Sequence, residues 1–293
     1  MHISIGEESL KSDYSGFERI INLHQQIKTI NSEDKLIVDM PHWFDANMCA
    51  PFGAILSILS NKNVDITLDC QDQVMEILQK NQFLPKFGFD KLSIPDDYDS
   101  TIEYFQFDVN DDNNFKKYVE THFGNNVHGF PKMSQELLRI FRGSLYEVFG
   151  NSVFHSETNH IFACGQYFYL QNRLDFSIVD LGIGFHGNIN KKMNLHLSPK
   201  EAIVWAMEEN QTTKKGGTVP GGLGLKLIKE FIEKNNGKMQ IVTYNGYWEF
   251  SKGRTILNTF SSNFPGTIVN IEINTADSSY YFLESETDYE NIF

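Results

Sequence analysis

The chain has 293 residues and a formal net charge of −13, and this length suggests about two domains of roughly 150 residues each. The acidic balance argues against a general nucleic-acid binder, which would need a basic surface to displace counterions. No apolar run approaches the ~18 residues of a membrane span, the N-terminus lacks signal-peptide features, and three scattered cysteines without a CxxC motif indicate reduced thiols. We therefore expect a cytoplasmic protein that binds neither nucleic acid nor membrane.

The first half alternates predicted strands and helices, an order that favours a mostly parallel sheet with helical cover. Residues 1–125 are therefore predicted to form one α/β domain, followed by a turn-rich linker. The predicted strands are Ile3–Ile5, Lys35–Met40, Val64–Leu68 and Thr101–Val109, and the predicted helices are Phe17–Ile30, Met48–Leu59, Gln71–Gln82 and Asn114–Phe123.

The second half opens with a long predicted helix, Ser134 to about His155, and forms a second α/β domain over residues 130–275. A long irregular stretch, Gly184–Pro220, contains one helical patch at Pro199–Glu209. Residues 276–293 are acidic and aromatic and predict a solvated tail, with a docking role left open. The other predicted elements are strands at His160–Leu170, Leu174–Asp180, Lys238–Tyr244, Trp248–Phe250, Arg254–Thr259 and Thr267–Ile273, and a helix at Leu223–Asn235.

One face of the long helix carries side chains suited to metal and proton chemistry. Glu147, Asn151 and His155 recur every four residues, so each step returns to the same face with about 40° of drift. An Asn oxygen is a hard ligand that suits Mg²⁺, and a carboxylate one turn away can orient or deprotonate a water. The same spacing also describes an ordinary solvated helix face.

Two glycine-containing motifs follow the long helix. Asp180 ends a strand and is followed by Gly182 and Gly184, so a buried carboxylate there could accept a hydrogen bond from an amine such as adenine N6. Gly221–Leu225 opens a helix whose first N–H groups favour phosphate, and Lys214 is a nearby cation. Each motif alone is equally a tight loop. The pattern is neither a P-loop nor a Rossmann dinucleotide turn.

Together these motifs resemble the N, G1 and G2 boxes of the Bergerat-fold (GHKL) ATPases, and Thr267 resembles the family's late Gly-Thr strand. The resemblance covers roughly residues 131–274 and implies an α/β sandwich that binds ATP and Mg²⁺. By this likeness Asn151 would hold Mg²⁺, Asp180 would read adenine with support from Thr267, and residues 185–220 would form a lid. The predicted catalytic residue is Glu147, and the predicted cofactor-binding residues are Asn151, His155, Asp180, Gly182, Gly184, Lys214, Gly222, Leu223, Gly224, Leu225 and Thr267.

Residues 35–84 are similar to the STAS (anti-anti-sigma) fold. That family often has Asp-Ser-Ser-Gly at the turn where a partner kinase phosphorylates a serine. Here the matching residues run from Asp45 to Met48 and contain no serine, so the phosphoacceptor is missing. The fold class implied is an N-terminal STAS-like βαβ domain followed by a C-terminal Bergerat-fold sandwich.

The resemblance to stand-alone bacterial GHKL proteins implies an ATP-dependent regulatory switch or serine/threonine kinase of anti-sigma type. Its partners would be ATP and a regulatory protein, with homodimerisation left open. One alternative is a slow ATPase in which Glu147 activates water and hydrolysis drives lid closure or dimerisation. Another is a non-catalytic scaffold that retains the fold. Whether the protein is an enzyme stays open at this point.

Overall fold

Two β-sheets of different kind organise the chain. The computed structural model describes residues 1–31, 34–59, 62–90, 94–155, 158–208 and 223–286, without the side chains of residues 154 and 155. Within these residues one sheet has three parallel strands and the other has seven strands with antiparallel pairing. The predicted α/β class is confirmed.

The small sheet has the strand order β1-β2-β3 and takes its inward residues from alternate positions. In β2, Leu36 and Val38 are buried while Lys35 and Ile37 are exposed, because successive side chains of a strand point to opposite faces. The parallel arrangement predicted for this part is confirmed for three of the four strands. The elements are β1 (His2–Ser4), α1 (Tyr14–Ile27), β2 (Lys35–Asp39), α2 (Cys49–Ser57), β3 (Asp65–Asp69) and α3 (Asp72–Lys80).

The fourth predicted strand of the first half belongs to the other sheet. It forms β4 (Thr101–Asp108), an edge strand that pairs antiparallel with β5 (His160–Phe168). The expectation that it extends the parallel sheet was wrong, because local alternation does not specify a strand's hydrogen-bonding partner. The predicted first domain, residues 1–125, thus includes a strand and a following helix, α4 (Asp112–His122), that pack with the second sheet and its core.

The seven-stranded sheet has the order β4-β5-β6-β10-β7-β8-β9. Its middle strands bring the end of β6 beside the start of β10, since Thr267 pairs with Asp180. The remaining strands are β6 (Arg173–Asp180), β7 (Lys238–Thr243), β8 (Gly246–Ser251), β9 (Arg254–Thr259) and β10 (Thr267–Asn274).

Four further helices lie in the second half, and one of them was not predicted. They are α5 (Gln135–His155), α6 (Gly184–Met193), α7 (Pro199–Met207) and α8 (Gly224–Asn235). Helix α6 occupies the first part of the stretch expected to be irregular. Its two glycines, Gly184 and Gly187, disfavour a helix by local propensity. Helix α7 lies in the helical patch predicted at Pro199–Glu209, and it begins with a Ser198–Glu201 capping box and Pro199 at its first position.

The described part of the predicted tail, residues 276–286, is mostly exposed but makes some packing contacts, and residues 287–293 lie outside the described residues. Ser134 N–H donates to Tyr281 O at 2.8 Å, and Tyr281 N–H donates to Lys132 O at 2.9 Å. The Tyr281 ring also contacts Phe231 of α8. Residues 275–286 therefore fasten the start of α5 next to α8, while Tyr280 and Phe282 remain exposed.

The seven-stranded sheet is covered on both faces. On one face Phe176 and Ile178 of β6 join a core with Leu145 of α5 and Ile228 of α8. On the other face the alternate strand residues join a core with the N-terminal half, as Val179 does with residues of α1 and α2. The site motifs on α5 and α8 therefore lie on the face opposite the N-terminal half.

Charged side chains are buried where the N-terminal half meets the sheet. Arg173 Nη2 lies 2.9 Å from Asp45 Oδ2 and 3.4 Å from Asp175 Oδ2. Burial raises the pKa of the Asp175 carboxyl to about 8, against the lowering effect of the Arg173 charge. One guanidinium thus connects the turn before α2 to β6, and it compensates two buried carboxyl groups.

Replacing Arg173 with methionine should lower the free energy of unfolding by about 3–5 kcal/mol, because Asp45 and Asp175 would lose their shared partner inside the protein. Urea denaturation at pH 7.5 measures this loss. Arg139→Met is the matched control, since Arg139 pairs with Glu136 on the exposed surface of α5 and should contribute little. Equal effects of the two substitutions would contradict the role given to Arg173.

Candidate functional site

The long helix α5 and the start of α8 meet at Glu147. Gly224 N–H donates a hydrogen bond to Glu147 Oε2 at 2.9 Å, so the carboxylate satisfies one of the open N–H groups of the first turn of α8. A Cβ at Gly224 would lie 2.9 Å from Glu147 Cβ and 3.0 Å from Ser144 O. Glycine at this position therefore permits the close approach of the two helices.

Asp180 is the buried acid of the site, with 3% of its surface exposed. Ser152 of α5 donates a hydrogen bond to Asp180 Oδ2 at 3.1 Å. Burial raises the pKa of the Asp180 carboxyl to about 7, and the donors of Ser152, Gly182 and Thr267 only partly offset this rise. Oδ1 of Asp180 has no hydrogen-bond partner of good geometry within the described part of the chain.

Thr267 and Thr243 stand in one row with Asp180 across three neighbouring strands. Thr267 of β10 is the register partner of Asp180 on one side and of Thr243 on the other. Because Asp180 faces α5, and register partners share a face, the whole row lies on the α5 side of the sheet. The structure thus places Thr267 beside Asp180, and the predicted support of Asp180 by Thr267 stays a prediction.

Thr243 is a site residue that sequence reasoning missed. Its Oγ1 accepts the Phe185 N–H at 2.9 Å, which holds the turn after Asp180 against β7. The only signal in the sequence is a polar residue at the end of an apolar strand. Its relation to Asp180 depends on strand register, which the sequence pattern does not state.

The glycines after Asp180 make this turn possible. Gly184 has φ +65°, and a Cβ there would lie 2.4 Å from Thr243 Oγ1, so both backbone conformation and space require glycine. Gly182 lies in the bend between Asp180 and α6, and its backbone is among the groups that lower the pKa of Asp180. Together the two glycines allow the chain to turn directly from β6 into α6.

For the remaining predicted site residues, the structure gives positions but no side-chain hydrogen bond to Glu147 or Asp180 among the described residues. Asn151 lies on α5 one turn after Glu147 and is half-buried. Leu223 immediately precedes α8, and Leu225 is buried in the core beneath it. The side chain of His155 and the residues Lys214 and Gly222 lie outside the described residues, so their roles stay predictions.

Three groups of this region are of kinds that could contact a polar ligand. Oδ1 of Asp180 has no hydrogen-bond partner of good geometry among the described residues, and because a buried acceptor left unpaired costs about 1–3 kcal/mol, a ligand amine could satisfy it. Glu147 already accepts the Gly224 N–H at the start of α8, so an anion there would contact the other N–H groups of that first turn, and the Asn151 amide oxygen is of a kind that suits Mg²⁺. Among the residues that the structure describes, no group of three or more His, Cys, Asp or Glu side chains could hold a metal ion.

Comparison of the sequence with models of known protein families found no match, and comparison with curated proteins found no significant match. The Bergerat-type interpretation therefore depends on the motifs and on the contacts between them. A separate finding concerns membranes: none of the described helices combines the length and apolar character needed to cross one.

Proposed function

We propose that this protein binds Mg·ATP in a Bergerat-type site between α5, the Asp180 turn and the start of α8, and acts as a regulatory switch or serine/threonine kinase of anti-sigma type. The observation that carries the proposal is the buried Asp180 carboxyl, which contacts α5 and β10 and still offers one oxygen. Asp180 would accept the adenine amine, and Thr267 would support it. Asn151 would hold Mg²⁺.

Glu147 is the predicted base for both a kinase and a slow ATPase, and its observed contact is with the Gly224 N–H. Bound Mg·ATP would supply a transferable phosphoryl group whose charge the metal neutralises. Glu147 Oε2 accepts the Gly224 N–H, and an ionised carboxylate keeps further lone pairs that could take a proton from a water or a hydroxyl. A switch needs only nucleotide binding by Asp180 and Asn151, so it depends on fewer of the predicted roles than hydrolysis or phosphoryl transfer does.

The position of the STAS-like turn favours a phosphoacceptor on another protein. Asp45 and Asn47 are fully buried, and Asn47 contacts Asn270 on the sheet face away from Asp180. A hydroxyl in this turn could not reach a nucleotide on the opposite face. If the protein is a kinase, its substrate is then a regulatory partner, and homodimerisation stays a separate proposal.

Isothermal titration with ATP tests the proposed site. Wild-type protein should bind ATP more tightly with Mg²⁺ than without, because Asn151 would hold the metal and the metal would offset the phosphate charge. Asn151→Ala should abolish this metal enhancement and retain the metal-independent part of binding. Asn114→Ala, on the exposed surface of α4, is the matched control and should behave as wild type.

The outcomes also separate the alternatives. No heat of binding at millimolar Mg·ATP would reject the proposed function and leave the scaffold. With binding established, labelled phosphate recovered on a STAS-type partner would indicate a kinase. Release of free phosphate would indicate an ATPase, and neither product would indicate a switch.

A further inference from the structure

A buried row of polar side chains crosses the same three strands that carry the candidate site. We call Ser177, Asn270 and Gln240 the inner row, and Asp180, Thr267 and Thr243 the site row. Asn270 is the register partner of Ser177 on β6 and of Gln240 on β7. Each inner-row residue thus lies three positions from a site-row residue on its own strand.

The two rows point to opposite faces of the sheet. Positions separated by an odd number of residues face opposite sides of a strand, and three residues span only about 10 Å. The site row faces α5, as the hydrogen bond from Ser152 to Asp180 shows. The inner row faces the N-terminal half, so the sheet lies between that half and the site row.

Asn47 connects the N-terminal half to the inner row. Its Nδ2 lies 2.8 Å from Asn270 Oδ1 and 3.4 Å from Ser177 Oγ. Within the row, Ser177 Oγ–H donates to Asn270 Oδ1 at 2.7 Å, and Asn270 Nδ2 donates to Gln240 Oε1 at 2.8 Å. Gln240 Nε2 also donates to Ser12 O at 3.0 Å. The row is therefore hydrogen-bonded across three strands and to two segments of the N-terminal half.

Burial makes these contacts sensitive to the position of the N-terminal half. Asn47, Ser177, Asn270 and Gln240 are all fully buried, and no water competes for a group that loses its partner in such a site. Asn47 Oδ1 already has no hydrogen-bond partner among the described residues. A displaced Asn47 would leave Asn270 to rearrange with its neighbours on β6 and β7.

We propose that the N-terminal half regulates the nucleotide site through the sheet, by the contact of Asn47 with the inner row. This inference rests on the proposed function for the ligand concerned. The inner row links β6, β10 and β7 by side-chain hydrogen bonds in addition to their backbone pairing, and the same strands carry Asp180, Thr267 and Thr243 three positions away. A signal that moves the Asp45–Met48 turn would thereby change how Thr267 and Thr243 support the Asp180 turn.

Two measurements on Asn47→Ala test the coupling. The affinity for Mg·ATP should fall about fivefold or more, the lower range of coupling between distant sites. Without nucleotide, the Phe185 amide should exchange its hydrogen at least about fivefold faster, because this amide donates to Thr243 Oγ1 of the site row. NMR-detected hydrogen exchange reads the second effect directly. Asn47→Ser, which is smaller but polar, replaces Asn47→Ala if that variant does not fold.

Asn81→Ala is the matched control. Asn81 is equally buried in the N-terminal half, and its Nδ2 contacts Cys49 Sγ at 3.0 Å and lies 3.7 Å from Cys164 Sγ, the register partner of Ser177 on β5. It therefore lies next to the inner row, but none of its described hydrogen bonds reaches Asn270 or Gln240. It should leave both readouts within about twofold of wild type. Equal effects of the two substitutions on Phe185 exchange, or none from Asn47→Ala, would overturn the coupling. Failure of the wild type to bind ATP would reject the proposed function, and Phe185 exchange would still decide the coupling.

Discussion

Asp180→Asn should raise the free energy of unfolding at pH 8.5 by a few kcal/mol and at the same time abolish ATP binding. Burial raises the pKa of Asp180 from 3.8 to about 7, so the folded state binds this proton more tightly than the unfolded chain does. The resulting penalty is absent below about pH 4, grows between about pH 4 and 7, and is complete above that range. Asparagine carries no charge and removes it.

Urea denaturation of both proteins at pH 5 and pH 8.5 measures the effect. The stability advantage of Asp180→Asn should be larger at pH 8.5. Asp175 also has a raised pKa, but it is present in both proteins, so their difference isolates Asp180. A difference independent of pH would show that Asp180 is not the group that titrates.

The affinity of the wild type for ATP should rise from pH 6 to pH 8, because an amine donor prefers the ionised carboxylate of Asp180. Asp180→Asn should bind weakly across this range. Asp180 would thus lower the stability of the folded protein while it serves ligand binding, and this trade-off is common at functional sites. Isothermal titration in phosphate-free buffers of different ionisation enthalpy would also detect the proton released on binding.

Gly184→Ala should lower the free energy of unfolding through two separate effects. The positive φ of Gly184 costs a non-glycine residue about 1–3 kcal/mol, and the clash of the new Cβ with Thr243 Oγ1 at 2.4 Å adds about 1–3 kcal/mol. The Phe185–Thr243 hydrogen bond should weaken, and ATP affinity should fall with it. Chemical denaturation and titration with ATP measure the two losses.

Gly253→Ala separates strain from clash. Gly253 also has a positive φ, +71°, but a Cβ there would meet nothing within 4 Å, so its substitution should show the strain alone. Gly184→Ala in a Thr243→Ala background should recover the part of the loss that comes from the clash. If the loss at Gly184 does not exceed that at Gly253, the close packing of the turn on Thr243 is not what stabilises it.

Most of the helices and strands could be predicted from the sequence, because their signals are local. Apolar spacing predicted α5 within one residue of its start, and the helical patch predicted at Pro199–Glu209 corresponds to α7. The motif order also indicated which residues to test for proximity, and the structure places Thr267 beside Asp180. Helix α6 was not predicted because its glycines disfavour a helix. At its start the Phe185 N–H donates to Thr243 of a distant strand, and the local sequence does not show this contact.

Strand pairing and the packing of layers could not be predicted, because both depend on residues far apart in the chain. Local alternation made β4 a strand but did not assign it to β5. Register alone brings Thr243 into the row with Asp180 and puts the inner row on the reverse face. Hydrophobic periodicity is a property of neighbouring residues, so it specifies helices and strands. The choice among possible partners is made by burial and hydrogen bonding in the whole folded chain, and it is this choice that builds the site.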